Sequence, residues 1–167
     1  MNDEDIMAYR FYVSVKGKDQ GPFKDEDGAG KGRMLGHRFR FKGSSNNDPA
    51  TRAKGAAARS HEPLLLTKPW GASSPLFFQA FWTNEVLEEV TLTFVHRDDD
   101  GKEKPFHEIV MTNATIVSLE HVAGDDVTVP DGIPQELEEI GFRFEAMTIK
   151  NIPAQTAANF DFKNEAA

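Results

Sequence analysis

The sequence predicts an all-β, mainly antiparallel fold: a compact β-barrel or sandwich of about seven or more strands with one α-helix. Three observations support this prediction. Polar and apolar residues alternate in several separate segments, only one segment is typical of a helix, and strands and helices do not alternate along the chain. The 167 residues suffice for a single domain with a real core.

The predicted strands follow from period-two alternation. Residues 1–7 are predicted to be a disordered extension, with Met7 as an alternative start, and residues 8–150 to be one domain. A long Ser, Asn, Gly and Ala-rich loop at 43–61 interrupts the domain, and a polar, loosely held tail covers 151–167. The strands are predicted at 8–16, 34–42 (with Leu35, His37, Phe39 and Phe41 on one face), 62–68, 86–97 and, last, 136–149. Residues 104–121 are predicted to form either one bent strand or two short ones, with Asn113 at the break.

The single helix is predicted at about 75–84, with Ser74 as its N-cap and Pro75 at its first position. Its side chains are apolar almost all the way round, whereas a helix on the surface of a monomer normally has a wide polar face. One face should pack on the sheet. Phe78 and Trp82 point away from that face, towards either a closing loop or a neighbouring subunit, and we predict a subunit interface there.

Charge is distributed unevenly over a net charge of −8. Residues 31–60 contain eight Lys and Arg side chains and one acid, whereas residues 85–145 contain sixteen acids and four bases. A basic and an acidic side would attract copies of the chain head to tail, although two solvated surfaces would give the same pattern. We expect no nucleic-acid binding, because the remainder of the chain is acidic. We assign Arg52, Lys54 and Arg59 of the long loop to the predicted interface.

No motif predicts catalysis, a cofactor or a metal. Gly28–Gly32 fails the spacing of a phosphate-binding loop, and Asp98–Gly101 is better explained as a hairpin turn than as part of a calcium loop. The five histidines show no metal-ligand spacing, and there is no cysteine. Glu138 and Glu139 should lie on opposite faces of a strand. We therefore predict that the protein is not an enzyme.

Five segments together resemble the haemolysin-coregulated protein (Hcp) family, the tube subunit of bacterial type VI secretion systems. They are LLTKP at 65–69, ASSPLFFQA at 72–80, EVTLTF at 89–94, MTNATI at 111–116 and LEEIGFRFE at 137–145. Their order and spacing carry the resemblance, which covers roughly residues 8–150. Residues 17–34 depart from the usual family pattern, and the tail is longer than in compact members.

The resemblance implies homohexameric rings that stack into the inner tube of the secretion machine, with a spike protein, a contractile sheath and cargo effectors as partners. It implies that the protein is cytoplasmic before firing and is then exported through the type VI system. The N-terminus lacks the apolar segment of a Sec signal, and no apolar run predicts membrane insertion. The alternative reading is a carrier β-barrel for a small molecule or protein, without ring assembly.

Overall fold

The computed structural model describes residues 10–24, 32–45, 59–124 and 136–162. These residues form one helix, α1 (Ser74–Thr83), and eleven strands. The strands are β1 (Arg10–Gly17), β2 (Gly21–Pro22), β3 (Met34–Gly36), β4 (Arg38–Arg40), β5 (Gly43–Ser45), β6 (Arg59–His61), β7 (Leu64–Pro69), β8 (Leu87–Arg97), β9 (Glu103–Ala123), β10 (Glu136–Asn151) and β11 (Thr156–Asp161).

Nine of these strands form one antiparallel sheet in the order β2-β1-β8-β9-β10-β7-β4, with β3 paired to β1 and β11 paired to β10. The predicted all-β, antiparallel fold with one helix is confirmed. Strands β8, β9 and β10 follow one another as a meander, and the turn between β8 and β9 is the predicted hairpin. There the Asp98 N–H donates to the Lys102 carbonyl at 2.9 Å, and Gly101 adopts a positive φ of 76°.

The sheet closes on itself through β3 and β4, which belong to one short segment. Strand β3 pairs with β1, whereas β4 pairs with β7 at the other end of the strand order. Between them the N–H of His37 donates to the carbonyl of Thr67 at 2.8 Å. A single segment therefore joins both ends of the sheet and makes the architecture barrel-like.

This closure corrects the prediction of one regular strand at 34–42. Met34 and Gly36 are buried, whereas Leu35 is 43% exposed, so the inward face changes as the chain passes from β3 to β4. Phe39 does pack against the core, as predicted. Gly36 is required here, because a Cβ at this position would lie 2.0 Å from Cε2 of Phe11.

Alternating apolar side chains from β1, β8 and β10 fill the interior. Each is less than a tenth exposed. They are Phe11, Val13 and Val15 from β1, Val90, Leu92 and Phe94 from β8, and Ile140, Phe142 and Phe144 from β10. Their removal from water is the main stabilising contribution to the fold, at about 25 cal/mol per Å² of apolar surface.

Strand β9 is one long strand with an irregularity at the predicted position. Asn113 has a positive φ of 50°, and its side-chain amide donates to Glu145 Oε2 at 3.0 Å. Asn tolerates this conformation better than most residues, which explains why it stands at the bend.

The prediction of a loose tail after a last strand at 136–149 is wrong for residues 156–161. Strand β10 continues to Asn151, whose side-chain carbonyl accepts the N–H of Ala154 at 3.0 Å. The chain then returns as β11, which pairs with β10 from Thr156 opposite Asn151 to Asp161 opposite Ala146. Every residue of β11 is exposed, so burial gives no alternation from which the strand could be predicted.

The predicted loop at 43–61 begins and ends in a paired stem. Gly43 lies opposite His61 and Ser45 opposite Arg59, which makes β5 and β6 a two-stranded ladder. Residues 46–58 lie outside the described residues, and so does the predicted extension at 1–7.

Candidate subunit interface

Helix α1 begins one residue earlier than predicted. Ser73, not Ser74, is the N-cap residue, and Pro75 follows within the first turn. The hydroxyl of Ser74 instead accepts the N–H of Gly71 at 2.9 Å and donates to Glu138 Oε1 at 2.8 Å. The helix ends at Asn84, which takes the left-handed conformation that closes many helices.

The inward face of α1 packs into the core. Phe77 and Ala80 are 0% and 1% exposed. The ring of Phe77 meets those of Phe23 and Phe142 edge to face, with centroids 5.0 and 6.4 Å away. Gln20 fixes the helix from the side, because its amide donates to the Leu76 carbonyl at 3.0 Å. One face of α1 therefore belongs to the fold.

The outward face of α1 carries two large aromatic side chains. Phe78 is 53% exposed and Trp82 is 69% exposed, and their ring centroids lie 6.2 Å apart. Trp82 also meets Phe81 edge to face at 5.1 Å. The structure thus brings together the two helix residues assigned to the interface from sequence. We call Phe78 and Trp82 the aromatic ridge, and its role as a subunit contact stays a prediction.

A buried ionic network lies beneath the start of α1, and the sequence analysis missed it. Lys68 and Glu138 are both fully buried, with Nζ 2.7 Å from Oε1. Lys68 also donates to the Pro69 carbonyl at 2.7 Å, and His121 Nε2 lies 3.0 Å from the second oxygen of Glu138. A buried charge is stable only when it is paired in this way.

A signal for the network was present in the sequence. Lys68 continues the inward alternation of Leu64 and Leu66 on β7, and Glu138 lies directly opposite it on β10. Glu139 is exposed, so the prediction that Glu138 and Glu139 occupy opposite faces is confirmed. The network links β7, β10 and the first turn of α1, and it thereby fixes the position of the helix on the barrel.

A second apolar surface lies where the β5–β6 stem meets β11. It is a groove of about 360 Å³, which we call the aromatic groove. His61 lies at its centre, stacked on Phe144 at 5.1 Å and edge to face with Phe162 at 4.6 Å. The lining residues are Phe41, Gly43, Ser44, Ser45, Arg59, Ser60, His61, Phe160 and Phe162.

Of the three basic residues assigned to the interface, the structure places one. Arg59 is exposed and lines the aromatic groove. Arg52 and Lys54 lie outside the described residues. Phe160, which is 49% exposed on β11, was not predicted, because the pairing that carries it to the groove leaves no pattern of burial.

Two further findings concern the described residues. Within them, no three His, Cys, Asp or Glu side chains are grouped so that they could hold a metal ion. Over the same ranges, no helix has the length and apolar character to cross a membrane. Fold and surfaces together define a class of protein: a small all-β module with a filled interior and exposed apolar surfaces on its outside.

The comparisons with known proteins identify the family. Residues 12–150 match the family described as "Type VI secretion system effector, Hcp". The chain belongs to this Hcp family of type VI secretion proteins. It is also 23% identical to the "Major exported protein" of Pseudomonas aeruginosa over 96% of this chain and 99% of the relative.

Solved structures agree on the fold. A crystal structure of an Hcp protein has a TM-score of 0.78 and 16% identity, and it covers 92% of this chain and 98% of its own. The Hcp1 protein of E. coli EAEC 042 gives a TM-score of 0.76 and 20% identity over 93% and 99%. The secreted protein Hcp3 of Pseudomonas aeruginosa gives 0.70 and 20% over 92% and 98%.

Proposed function

We propose that this chain is a structural, ring-forming subunit of a type VI secretion tube and that it has no catalytic role. Six copies would form a ring, and rings would stack into the inner tube, with room for cargo effectors in the ring lumen. The tube would assemble in the cytoplasm inside the contractile sheath and leave the cell beneath the spike protein. Membership of the Hcp family supports this proposal, and so does a relative named as an exported protein.

The observation that carries the assembly part is the aromatic ridge. Aromatic side chains are enriched in interface cores, and a monomer gains nothing from holding Phe78 and Trp82 in water. A fully covered aromatic side chain buries about 150–250 Å², and more than half of each ridge side chain is still exposed, so the ridge could supply roughly 200–300 Å² of apolar contact per subunit.

Charge would tune this assembly rather than drive it. Two of the described ion pairs outside the network are exposed and long: Lys16 to Glu88 at 3.5 Å and Arg40 to Glu62 at 3.8 Å. Pairs of this kind contribute about 0–1 kcal/mol each and are screened by salt. Rings held together by apolar contacts, with salt-sensitive stacking between rings, would suit a tube that must assemble and later come apart.

The alternative, a carrier barrel for a small molecule, has less support. The inward positions of the barrel hold large apolar side chains, among them Phe11, Leu92 and Phe142, which fill the interior. The aromatic groove lies between the β5–β6 stem and β11 and is not lined by these interior side chains. Co-purification of a stoichiometric small molecule with a monomer would favour the carrier.

Native mass spectrometry of the full chain at high micromolar concentration tests the proposal. We expect a hexamer as the main species. Stacked rings should be lost as the ionic strength rises to about 0.15 M, where the Debye length is about 8 Å. Negative-stain images should show rings under the same conditions. A monomer at every concentration and salt level would overturn the proposal.

A further inference from the structure

The aromatic ridge and the aromatic groove are two different apolar surfaces on one chain. The ridge lies on α1, and the groove lies between the β5–β6 stem and β11. Among the described residues, the ring contacts of Phe78 and Trp82 stay within α1, whereas those of His61 involve Phe41, Phe144 and Phe162. A contact that joins two unlike patches of identical chains is the kind that closes a ring.

The groove is large enough to admit an aromatic ring. The groove has a volume of about 360 Å³, and four of its nine lining residues have aromatic rings. A cavity of about 150 Å³ is large enough to hold a benzene ring, so the groove can accept the indole of Trp82 with part of the Phe78 ring. Ser44 and Ser60 line the same groove, and their hydroxyls can accept the indole N–H.

The charges also match. The last turn of α1 contains no basic residue, so the partial negative charge at the end of the helix has no cation on its own element. Trp82 lies in this last turn. Arg59, exposed at the groove, supplies a cation that can approach both the helix end and the face of an indole. The end of α1 next to Trp82 thus carries partial negative charge, whereas the groove carries the positive charge of Arg59.

From these matches we infer that the aromatic ridge of one copy docks in the aromatic groove of a second copy. In that contact Trp82 inserts beside His61 and Phe160, and Arg59 of the second copy lies at the C-terminal end of α1. The inference rests on the proposed ring, and it names both halves of the contact between subunits. It also assigns Phe160 and His61, which neither family membership nor the sequence analysis placed in an interface.

Cross-linking tests the geometry directly, because the chain has no cysteine of its own. Gln79→Cys places a thiol on the exposed side of α1 without altering the ridge, and Ser45→Cys places one in the groove without altering its rings. The two variants, carried on differently tagged chains, are mixed and treated with a short bis-maleimide. We expect a mixed dimer between the two tags to be the main product.

The matched control pairs Gln79→Cys with Val117→Cys, an exposed apolar position on β9. This control should give little mixed dimer. Equal yields for Ser45→Cys and Val117→Cys, or dominant self-linking of Gln79→Cys chains, would overturn the inference.

A double-mutant cycle tests the energetic coupling. Trp82→Ser and Phe160→Ser each remove an exposed ring and should each lower the association constant by about tenfold or more. The association constant of the double variant should lie within about threefold of that of the more weakly associating single variant, because both changes break one contact. Arg59→Gln should lower association by about two- to fivefold. Losses that multiply in the double variant would refute the contact.

These outcomes separate the inference from the proposed function. If wild-type rings form but the cross-link and the coupling are absent, the ridge–groove contact is wrong and the ring remains. If Phe160→Ser leaves association unchanged, the groove is not the partner of the ridge, and the inference fails alone. If the wild-type chain is a monomer, both fail. Circular dichroism and thermal unfolding confirm that each variant is folded.

Discussion

The two faces of α1 carry the same kinds of side chain in opposite surroundings. Phe77 is fully buried between two other rings, whereas Phe78, the next residue, is 53% exposed. Ala80 is buried and Trp82, two residues later, is 69% exposed. The residue types do not distinguish the faces; only the position of each side chain around the helix does.

This difference shows how one short helix can serve both folding and association. Aromatic burial on the inward face contributes to the free energy of unfolding of a single chain. The exposed aromatic surface of the outward face contributes little to that quantity, and it can contribute to association when a partner covers it. Substitutions on the two faces should therefore alter different measurements.

Truncation of the inward face should have the largest effect on stability. We expect Phe77→Ala to lower the free energy of unfolding by about 3–5 kcal/mol, because a fully buried ring is lost and a cavity remains. Denaturant unfolding measures this value. Phe78→Ala is the matched control on the outward face and should cost less than about 1 kcal/mol. Similar losses for the two variants would remove the distinction between the faces.

The ionic network beneath the helix should have the next largest effect. Glu138→Leu leaves the Lys68 ammonium buried without its carboxylate and should destabilise the fold by about 3 kcal/mol. The double variant Lys68→Met and Glu138→Leu should recover most of that loss, since neither charge then remains buried. Chemical unfolding of the two variants checks this. If Glu138→Leu were as stable as the wild type, the pair would not hold α1 in place.

Charges placed on the outward face should alter assembly with little effect on the fold. We expect Phe78→Asp or Trp82→Asp to convert rings to folded monomers, at a cost below about 1 kcal/mol in unfolding free energy. Sedimentation velocity measures assembly, and circular dichroism measures folding. Trp82→Phe keeps an apolar ring and serves as the control. If both Asp variants unfold, this face belongs to the core and the interface lies elsewhere.

The smallest expected effect lies far from α1, at the β8–β9 turn. The hydrogen bond from the Lys102 N–H, followed by contacts with Lys104 and the Asp100 N–H, holds the pKa of Asp98 below its ordinary value. The ionised Asp98 carboxylate should therefore stabilise the turn fully at a pH above the ordinary pKa of a carboxyl group. This stabilisation should be lost as the pH falls through the lowered pKa. Amide exchange at Lys102 across that range measures the loss.

Asp98→Asn is the comparison variant for the turn. Its exchange rate at Lys102 should change less between neutral and acid pH than that of the wild type, after correction for intrinsic exchange. Neither protein should change its assembly state because of this turn. A pH response of equal size in both would show that Asp98 is not its source.

Much of the barrel could be predicted because its strands are half-buried, so alternation reports which side chains face the core. Phe11, Leu92 and Phe142 followed this rule. The rule fails where a segment changes its partner strand, since Leu35 and Phe39 then face differently despite their even spacing. It also fails for β11, whose residues are all exposed and whose pairing depends on backbone hydrogen bonds alone.

The aromatic ridge and the aromatic groove also differ in how far they could be predicted from the sequence. The ridge could be predicted because a helix with too little polar surface is visible in a continuous stretch of sequence. The groove could not, because it is assembled from three separated segments. The first is Phe41 with β5, the second is β6, and the third contains Phe160 and Phe162. Only tertiary pairing brings these segments together.

The closure by β3 and β4 has a consequence for the order of folding. Strands β8, β9 and β10 are consecutive and connected in sequence, so their pairing needs only the closure of comparatively short loops. The segment from Met34 to Arg40 can join both edges of the sheet only after β1 lies beside β8 and β7 beside β10. We therefore expect the meander to form early and the barrel seam to form last, which would make seam formation a slow, non-local step.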